Sequence, residues 1–361
     1  MSEVVFYDPA CPRPYDTRTL ATEAIPGTEA SVVRIADALG ACVVQHNRTD
    51  QYGRYRSPDA RPEADRVVVL RDSRALETAR QWYPHARLYL WLHDKLRPRS
   101  KRGRRLAATG ALLRELTPTL VCVSDTHRAD VEATLRWIGL AGTLATRTLY
   151  NPVDESLAPD NSAVNPDKLV FFSSPNKGLA FAVDAFRALR RSFPGLQLVV
   201  GNPGYRQAAV STPGVHYLGA LPQARIHAEV RTALCTFHPN FRIPETFGLV
   251  FAESKALGTP VLTHDFGAAA EILADPAQLL PVTQAHRAYE AAAGLLPPRW
   301  RALSARLAAR CGLFDAYIER IRAWRAGGRP HVGPDPRFAL RTVAQQWRTL
   351  LAPTGSLPAG G

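Results

Sequence analysis

The run HPNFRIPETFGLVFAESKALGTPVL, His238 to Leu262, holds two glutamates, Glu245 and Glu253, with seven residues between them and Gly248 inside the interval. Pro244 favours an extended chain or a first helical turn, so a helix is expected to begin near Thr246. The backbone N–H groups of Phe247, Gly248 and Leu249 would then sit at a helix N-terminus, where they can bind an anion. Gly248 lacks a Cβ, so a ligand could approach it closely. Glu253 lies two turns on, rotated about 80° from Glu245. Two carboxylates so placed can hold different parts of one long ligand. Their natural targets are hydroxyl groups, because a carboxylate accepts strongly and would repel a phosphate. Sugar and ribose hydroxyls joined by a diphosphate match this layout. The plainer alternative is a dipole-stabilised Glu at a helix start plus a solvated helix Glu, and either residue taken alone fits it better.

Elements that could position such a site are legible along the chain. The length, 361 residues, suggests two domains, and the ordinary apolar content allows each to bury a core. Val4–Tyr7, ACVVQ after Gly40, RVVVL (66–70), RLYLWLH (87–93), TLVCVS (119–124) and TRTLY (146–150) read as strands, with helical spacing between them. Most lack period-two alternation, as expected for strands buried on both faces. NPVDESLAPDNSAVNPDK, Asn151 to Lys168, reads as an interdomain linker. A second alternating series follows: LVFF, LQLVV, VHYLG, LCTFH and PVLTH. Two doubly wound halves predict a cleft between them, with ligands at the C-terminal ends of the strands. The expected domains are 1–155 and 156–335, with a helix near 336–352 packing back on the first and a loose Pro/Gly/Ser end beyond it.

Five widely spaced cysteines and no C-x-x-C fit buried thiols in a reducing cytoplasm. The N-terminus MSEVVFYDPA does not read as a signal peptide, and no apolar stretch reaches the length of a membrane span. The net charge of +13 points to an acidic partner, although a GC-rich genome also favours arginine. DKLRPRSKRGRRL, Asp94 to Leu106, carries seven basic residues and reads as a solvated loop, an anion-binding segment or a membrane-docking one.

PETFGLVFAESKALGTPVLTHDFGAAAEIL resembles the nucleotide-sugar signature of the retaining glycosyltransferases of family 4, which have the two-domain GT-B fold. PGTEASVVRIADALGA, LWLHD, CVSDTHRADV, LYNPVD, NKGLAFAVDAFRAL and VHYLGALPQARI follow in the order of that family. The resemblance implies an α/β chain with two Rossmann-like parallel-sheet domains facing a central cleft. It also implies roles. Glu253 should accept from the nucleotide ribose and Glu245 from the donor sugar. The Thr246–Leu249 segment, through the amides of Phe247, Gly248 and Leu249, should support the sugar and diphosphate. Lys177, in PNKGL, matches the family lysine that neutralises the departing diphosphate. His93 matches a histidine near the reacting face of the sugar. Gly27 and Thr28, in IPGTEA, match the loop that approaches the acceptor or diphosphate.

One departure stands out. The family usually has an arginine shortly before the lysine, and here FFSSPNKG has Ser173 and Ser174 in its place. Arg242, in NFRIPETFG, could supply that charge from the neighbouring loop. There is no Asp-x-Asp, H-E-x-x-H or Cys/His cluster, so no metal and no cofactor beyond a UDP-sugar or GDP-sugar co-substrate is expected. The expected acceptor is a glycan or lipid-linked saccharide of envelope or polysaccharide synthesis. The expected location is cytoplasmic, with peripheral docking on an anionic membrane through Lys95–Arg105. The rival readings are a nucleotide-sugar epimerase or hydrolase on the same fold, and a non-catalytic basic binding module. Nucleic acid is disfavoured because no aromatic residue interleaves the basic run.

Overall fold

Apolar, β-branched runs buried on both faces pair in parallel, and the intervening amphipathic helices cover the faces. The computed structural model describes residues 3–201 and 211–353 and divides into two compact units. The first comprises residues up to Thr17, Gly27–Glu155 and the segment from Pro336. The second comprises Arg18–Pro26 and Ser156–Asp335.

In the first unit the strands are β1 (Val4–Asp8), β2 (Cys42–Gln45), β3 (Tyr55–Arg56), β4 (Arg66–Leu70), β5 (Arg87–Leu92), β6 (Thr119–Cys122) and β7 (Thr146–Thr148). They form one parallel sheet in the order β3-β2-β1-β4-β5-β6-β7. The order reverses between β1 and β4, and such a switch point opens a crevice beyond the strands' C-terminal ends. The helix Leu340–Leu351 belongs to this unit. Its Trp347 is fully buried, with its ring 5.7 Å from that of Phe6 and 4.9 Å from that of Trp91.

In the second unit the strands are β8 (Asn165–Phe172), β9 (Gln197–Gly201), β10 (Val215–Gly219), β11 (Ala233–His238), β12 (Val261–His264) and β13 (Leu279–Leu280). Their parallel order is β10-β9-β8-β11-β12-β13, with the switch point between β8 and β11. Phe171, Phe181, Phe186, Phe237, Phe314 and Tyr317 fill the core on one side of this sheet.

Three local expectations change. The linker is shorter than its composition suggested, because Asn165–Lys168 extends β8 and pairs with β9 and β11. The basic run is not wholly a loop: Ser100 caps a helix from Lys101 to Ala108, its Oγ accepting from the N–H of Gly103 at 3.0 Å. The two-residue strands β3 and β13 were not anticipated, being too short to carry a periodic pattern. The loop after Val200 falls on residues 202–210, and the Pro/Gly/Ser end falls on 354–361. Both lie outside the described residues.

Candidate functional site

The switch point of the second sheet gathers the expected donor residues. Lys177 lies in the loop after β8, and Glu245 lies in the loop after β11. Their side chains form an ion pair, Nζ to Oε2, at 2.6 Å. Glu245 is buried, whereas the lysine side chain is 31% exposed. Read from sequence, the two residues have separate duties, and their contact was not anticipated. Oε1 of Glu245 is buried and accepts no hydrogen bond among the described residues; Nε2 of His238 lies 3.8 Å from it. Burial pushes the His238 imidazole down to about 4, so it is neutral at pH 7, and neither ring nitrogen has a hydrogen-bond partner among the described residues. A carboxylate oxygen and an imidazole, both buried and both with unused hydrogen-bonding capacity, suit a polyhydroxylated ligand.

Backbone geometry fixes Glu245. It bridges to Gly267, and its carbonyl accepts from the N–H of Ala268 at 3.0 Å. A Cβ on Gly267 would fall 2.7 Å from that carbonyl oxygen, and φ there is +69°, so a side chain would displace the glutamate.

The helix that follows starts later than expected, at Leu249 rather than near Thr246, and runs to Ala256. Gly248 is its N-cap with φ +88°, a left-handed conformation that stops the helix from extending back to Thr246. Its lack of a Cβ serves packing: the space a Cβ would take belongs to the Phe251 ring, 2.5 Å away. Phe247 is buried. Glu253 is not solvated, as the plainer alternative held. It is buried, with Oε2 3.5 Å from Nε2 of His227 on the helix Gln223–Arg231. Arg242 is about half exposed and pairs with Glu290 at 3.1 Å. Glu290 is shared with Arg301, which also binds Asp184 at 2.6 Å.

The switch point of the first sheet holds a second constellation. His93 is the first residue beyond β5, which ends at Leu92, one residue earlier than the sequence suggested. It is buried, and desolvation, with Arg71 and His127 adding, holds its pKa well below the usual imidazole range. Gly27 and Thr28 open the helix Gly27–Leu39. A cavity of ≈ 220 Å³ at the C-terminal ends of β4 and β5 has a lining that includes Arg71, Asp72, Ser73, Asp94, Arg102 and Arg105. Arg71, just after β4, has φ +62°, a conformation that non-glycine residues adopt at a cost of about 1–3 kcal/mol. Its Nη1 lies 3.5 Å from the buried carboxylate of Glu29, and its buried Nε, which makes no hydrogen bond among the described residues, lies 3.9 Å from Oδ2 of Asp94. Arg102 pairs with Asp94, and its pKa is lowered by burial and then by Arg71 and Arg105. Three guanidiniums thus converge on one cavity, an arrangement suited to an anion. Elsewhere in the basic run, Lys95 pairs with Asp130 at 3.0 Å and Arg97 lies 3.8 Å from the same carboxylate.

Arg71, Glu29, His227 and His238 were not singled out as site residues from sequence. Arg71 and His238 had a usable signal, since both fall at the C-terminal ends of strands beside a switch point. His227 and Glu29 had none, because each matters only through a contact made on folding.

Comparison with known proteins agrees with the architecture. Residues 159–296, within the second unit, match the family described as glycosyl transferases group 1. The whole fold, two Rossmann-like parallel-sheet units, is that of the GT-B glycosyltransferases. Anabaena HepE, solved in complex with UDP-glucose, aligns over 97% of this chain and 99% of its own at a TM-score of 0.61 and 16% identity. Sucrose-phosphate synthase from Thermosynechococcus elongatus aligns over 96% and 98% at a TM-score of 0.62 and 15% identity. In sequence, the chain is 30% identical over 109 residues to the phosphatidyl-myo-inositol mannosyltransferase of Mycobacterium leprae. That stretch spans 29% of each of the two chains.

Proposed function

We propose that this chain is a retaining glycosyltransferase. It moves a sugar from a UDP-sugar or GDP-sugar to a hydroxyl of a glycan or lipid-linked saccharide, in envelope or polysaccharide synthesis. The observation that carries this reading is the Lys177–Glu245 pair at the switch point of the second sheet, with a further buried glutamate, Glu253, on the next helix. Glu253 accepts from the ribose hydroxyls. Oε1 of Glu245 accepts from the donor sugar. Lys177 turns toward the diphosphate and offsets the charge that develops as the nucleotide leaves. Arg242 adds a second cation, its claim on Glu290 already shared with Arg301.

Glu245 serves as a hydrogen-bond acceptor rather than a nucleophile, and attack comes on the face the nucleotide vacates, the course the family resemblance implies. The acceptor oxygen bonds to the anomeric carbon as the bond to the diphosphate breaks, and the departing phosphate oxygen takes the acceptor proton. Neutral His93 orients a hydroxyl without adding charge. The arginine cavity at the ends of β4 and β5 holds an anionic group of the acceptor, such as a phosphate. Lys95 and Arg97 of the basic run instead face the Asp130 carboxylate, which weakens their use for membrane docking.

Thermal unfolding with UDP, GDP, ADP and dTDP, each with and without Mg²⁺, tests the donor reading. A ligand at about 100 times its dissociation constant adds about 2.7 kcal/mol of stability. One nucleotide should shift the midpoint without metal, and Glu253→Ala and Arg242→Ala should reduce the shift. No shift with any nucleotide overturns the proposal, and an unchanged shift in Arg242→Ala removes that residue from the site.

A further inference from the structure

The second unit carries an apolar stripe that its own core does not use. Nine large hydrophobic residues are exposed among the described residues, and five of them fall between positions 295 and 307: Leu295, Leu296, Trp300, Leu303 and Leu307. Leu295 is 87% exposed and Leu307 55%. The last three lie on the helix Pro298–Arg310 at spacings of three and four residues, so they share one face. The opposite face is anchored inward. Arg301 reaches Asp184 and Glu290, Ala305 is buried, and Ala308 and Ala309 pack on the core. The exposed face is therefore a settled surface of a docked helix.

Cations flank that stripe. At about 100° per residue, Arg299, Arg306 and Arg310 project within roughly 60° of Leu303. The helix, PRWRALSARLAAR, contains no acidic residue. A tryptophan and leucines on one flank with arginines on the other form the pattern of a helix that lies in the plane of a lipid interface. A soluble chain seldom leaves so concentrated an apolar surface uncovered.

We propose that the helix Pro298–Arg310, with Leu295 and Leu296 before it, docks the chain in-plane on an anionic lipid surface. The arginines select this occupant. A second copy meeting the stripe about a two-fold axis would bring two rows of arginines together with no carboxylate on either helix to offset them. An anionic bilayer offers apolar depth for Trp300, Leu303 and Leu307 and negative charge for Arg299, Arg306 and Arg310. This inference stands apart from the transferase reading, since none of these residues belongs to the donor or acceptor constellation.

The test is flotation with phosphatidylcholine vesicles, with and without phosphatidylglycerol. Wild type should float with the anionic vesicles. Trp300→Ser, Leu303→Ser and Leu307→Ser combined should lower the partition at least about tenfold. Arg299→Gln, Arg306→Gln and Arg310→Gln combined should remove the preference for anionic lipid. All six side chains are exposed, so circular dichroism and the unfolding midpoint should stay close to wild type. Should the triple serine variant fail to fold, Trp300→Phe supplies the readout: wild-type fluorescence quenched by brominated lipid, with that quenching reduced in the variant. Wild type left at the bottom of the gradient overturns the proposal, as does equal flotation of the serine variant. Loss of flotation only when Arg99, Lys101 and Arg104 are neutralised would place docking on the basic run instead. A dimer by light scattering that the serine variant dissolves, without lipid binding, would assign the stripe to a second copy.

Discussion

Replacing Lys177 by alanine separates two roles that the 2.6 Å contact with Glu245 combines. As a partner of Glu245, the lysine supplies one charge-assisted hydrogen bond to a buried carboxylate. Such a bond contributes about 1.5–3 kcal/mol, and the partial exposure of the lysine side chain puts the expected stability loss at the low end, near about 1.5 kcal/mol. As the diphosphate cation, it makes a bond of the same kind to a phosphate oxygen, and losing that bond should weaken nucleotide binding by roughly 10- to 150-fold. Titration calorimetry with a nucleoside diphosphate and with the matching nucleoside tells the roles apart. The variant should lose affinity for the diphosphate and keep its affinity for the nucleoside, which has nothing for the lysine to neutralise. Lys177→Arg should recover part of the loss, because it keeps the charge but not the point geometry. If the ratio of the two dissociation constants is the same in wild type and Lys177→Ala, the lysine serves only Glu245, and the donor assignment built on it falls.

Two further outcomes follow from the same structure. His127 and His238 are both pushed down to about 4 by burial, so the unfolded chain binds more protons than the folded one between that value and about 6.5. Their contribution is complete above about pH 6.5 and is lost as pH falls toward 4. Urea unfolding at pH 7, 5.5 and 4.5 should show a steep decline that His127→Asn combined with His238→Asn makes shallower; equal slopes would contradict the burial argument. Gly248→Ala forces a side chain into the left-handed region and into the Phe251 ring, and should cost about 1–3 kcal/mol. A midpoint unchanged in thermal unfolding would show that the helix start can relax.

The sequence by itself determined the longer strands and the candidate site segments. RVVVL, LCTFH and PVLTH are continuous apolar runs bounded by polar turns, and such runs have few options other than a buried parallel strand. The spacing of Glu245, Gly248 and Glu253 could be read because it is local. The start of the helix at Leu249 was missed because it depends on the left-handed Gly248, where the Phe251 ring fills the space a side chain would need. The extension of β8 through Asn165 escaped a compositional reading because Asn and Pro there are overridden by pairing to strands on either side.

Tertiary structure alone decided who meets whom. Lys177 and Glu245 are 68 residues apart in the chain, and only the adjacency of β8 and β11 at the switch point brings them into contact. Arg71, Asp94 and Arg102 converge because β4 and β5 are neighbours, which no spacing in the sequence states. The neutrality of His93 and His238 is likewise a property of burial: an imidazole on a free chain titrates near 6.5 whatever its neighbours in sequence, and loses its charge only when folding strips its water away.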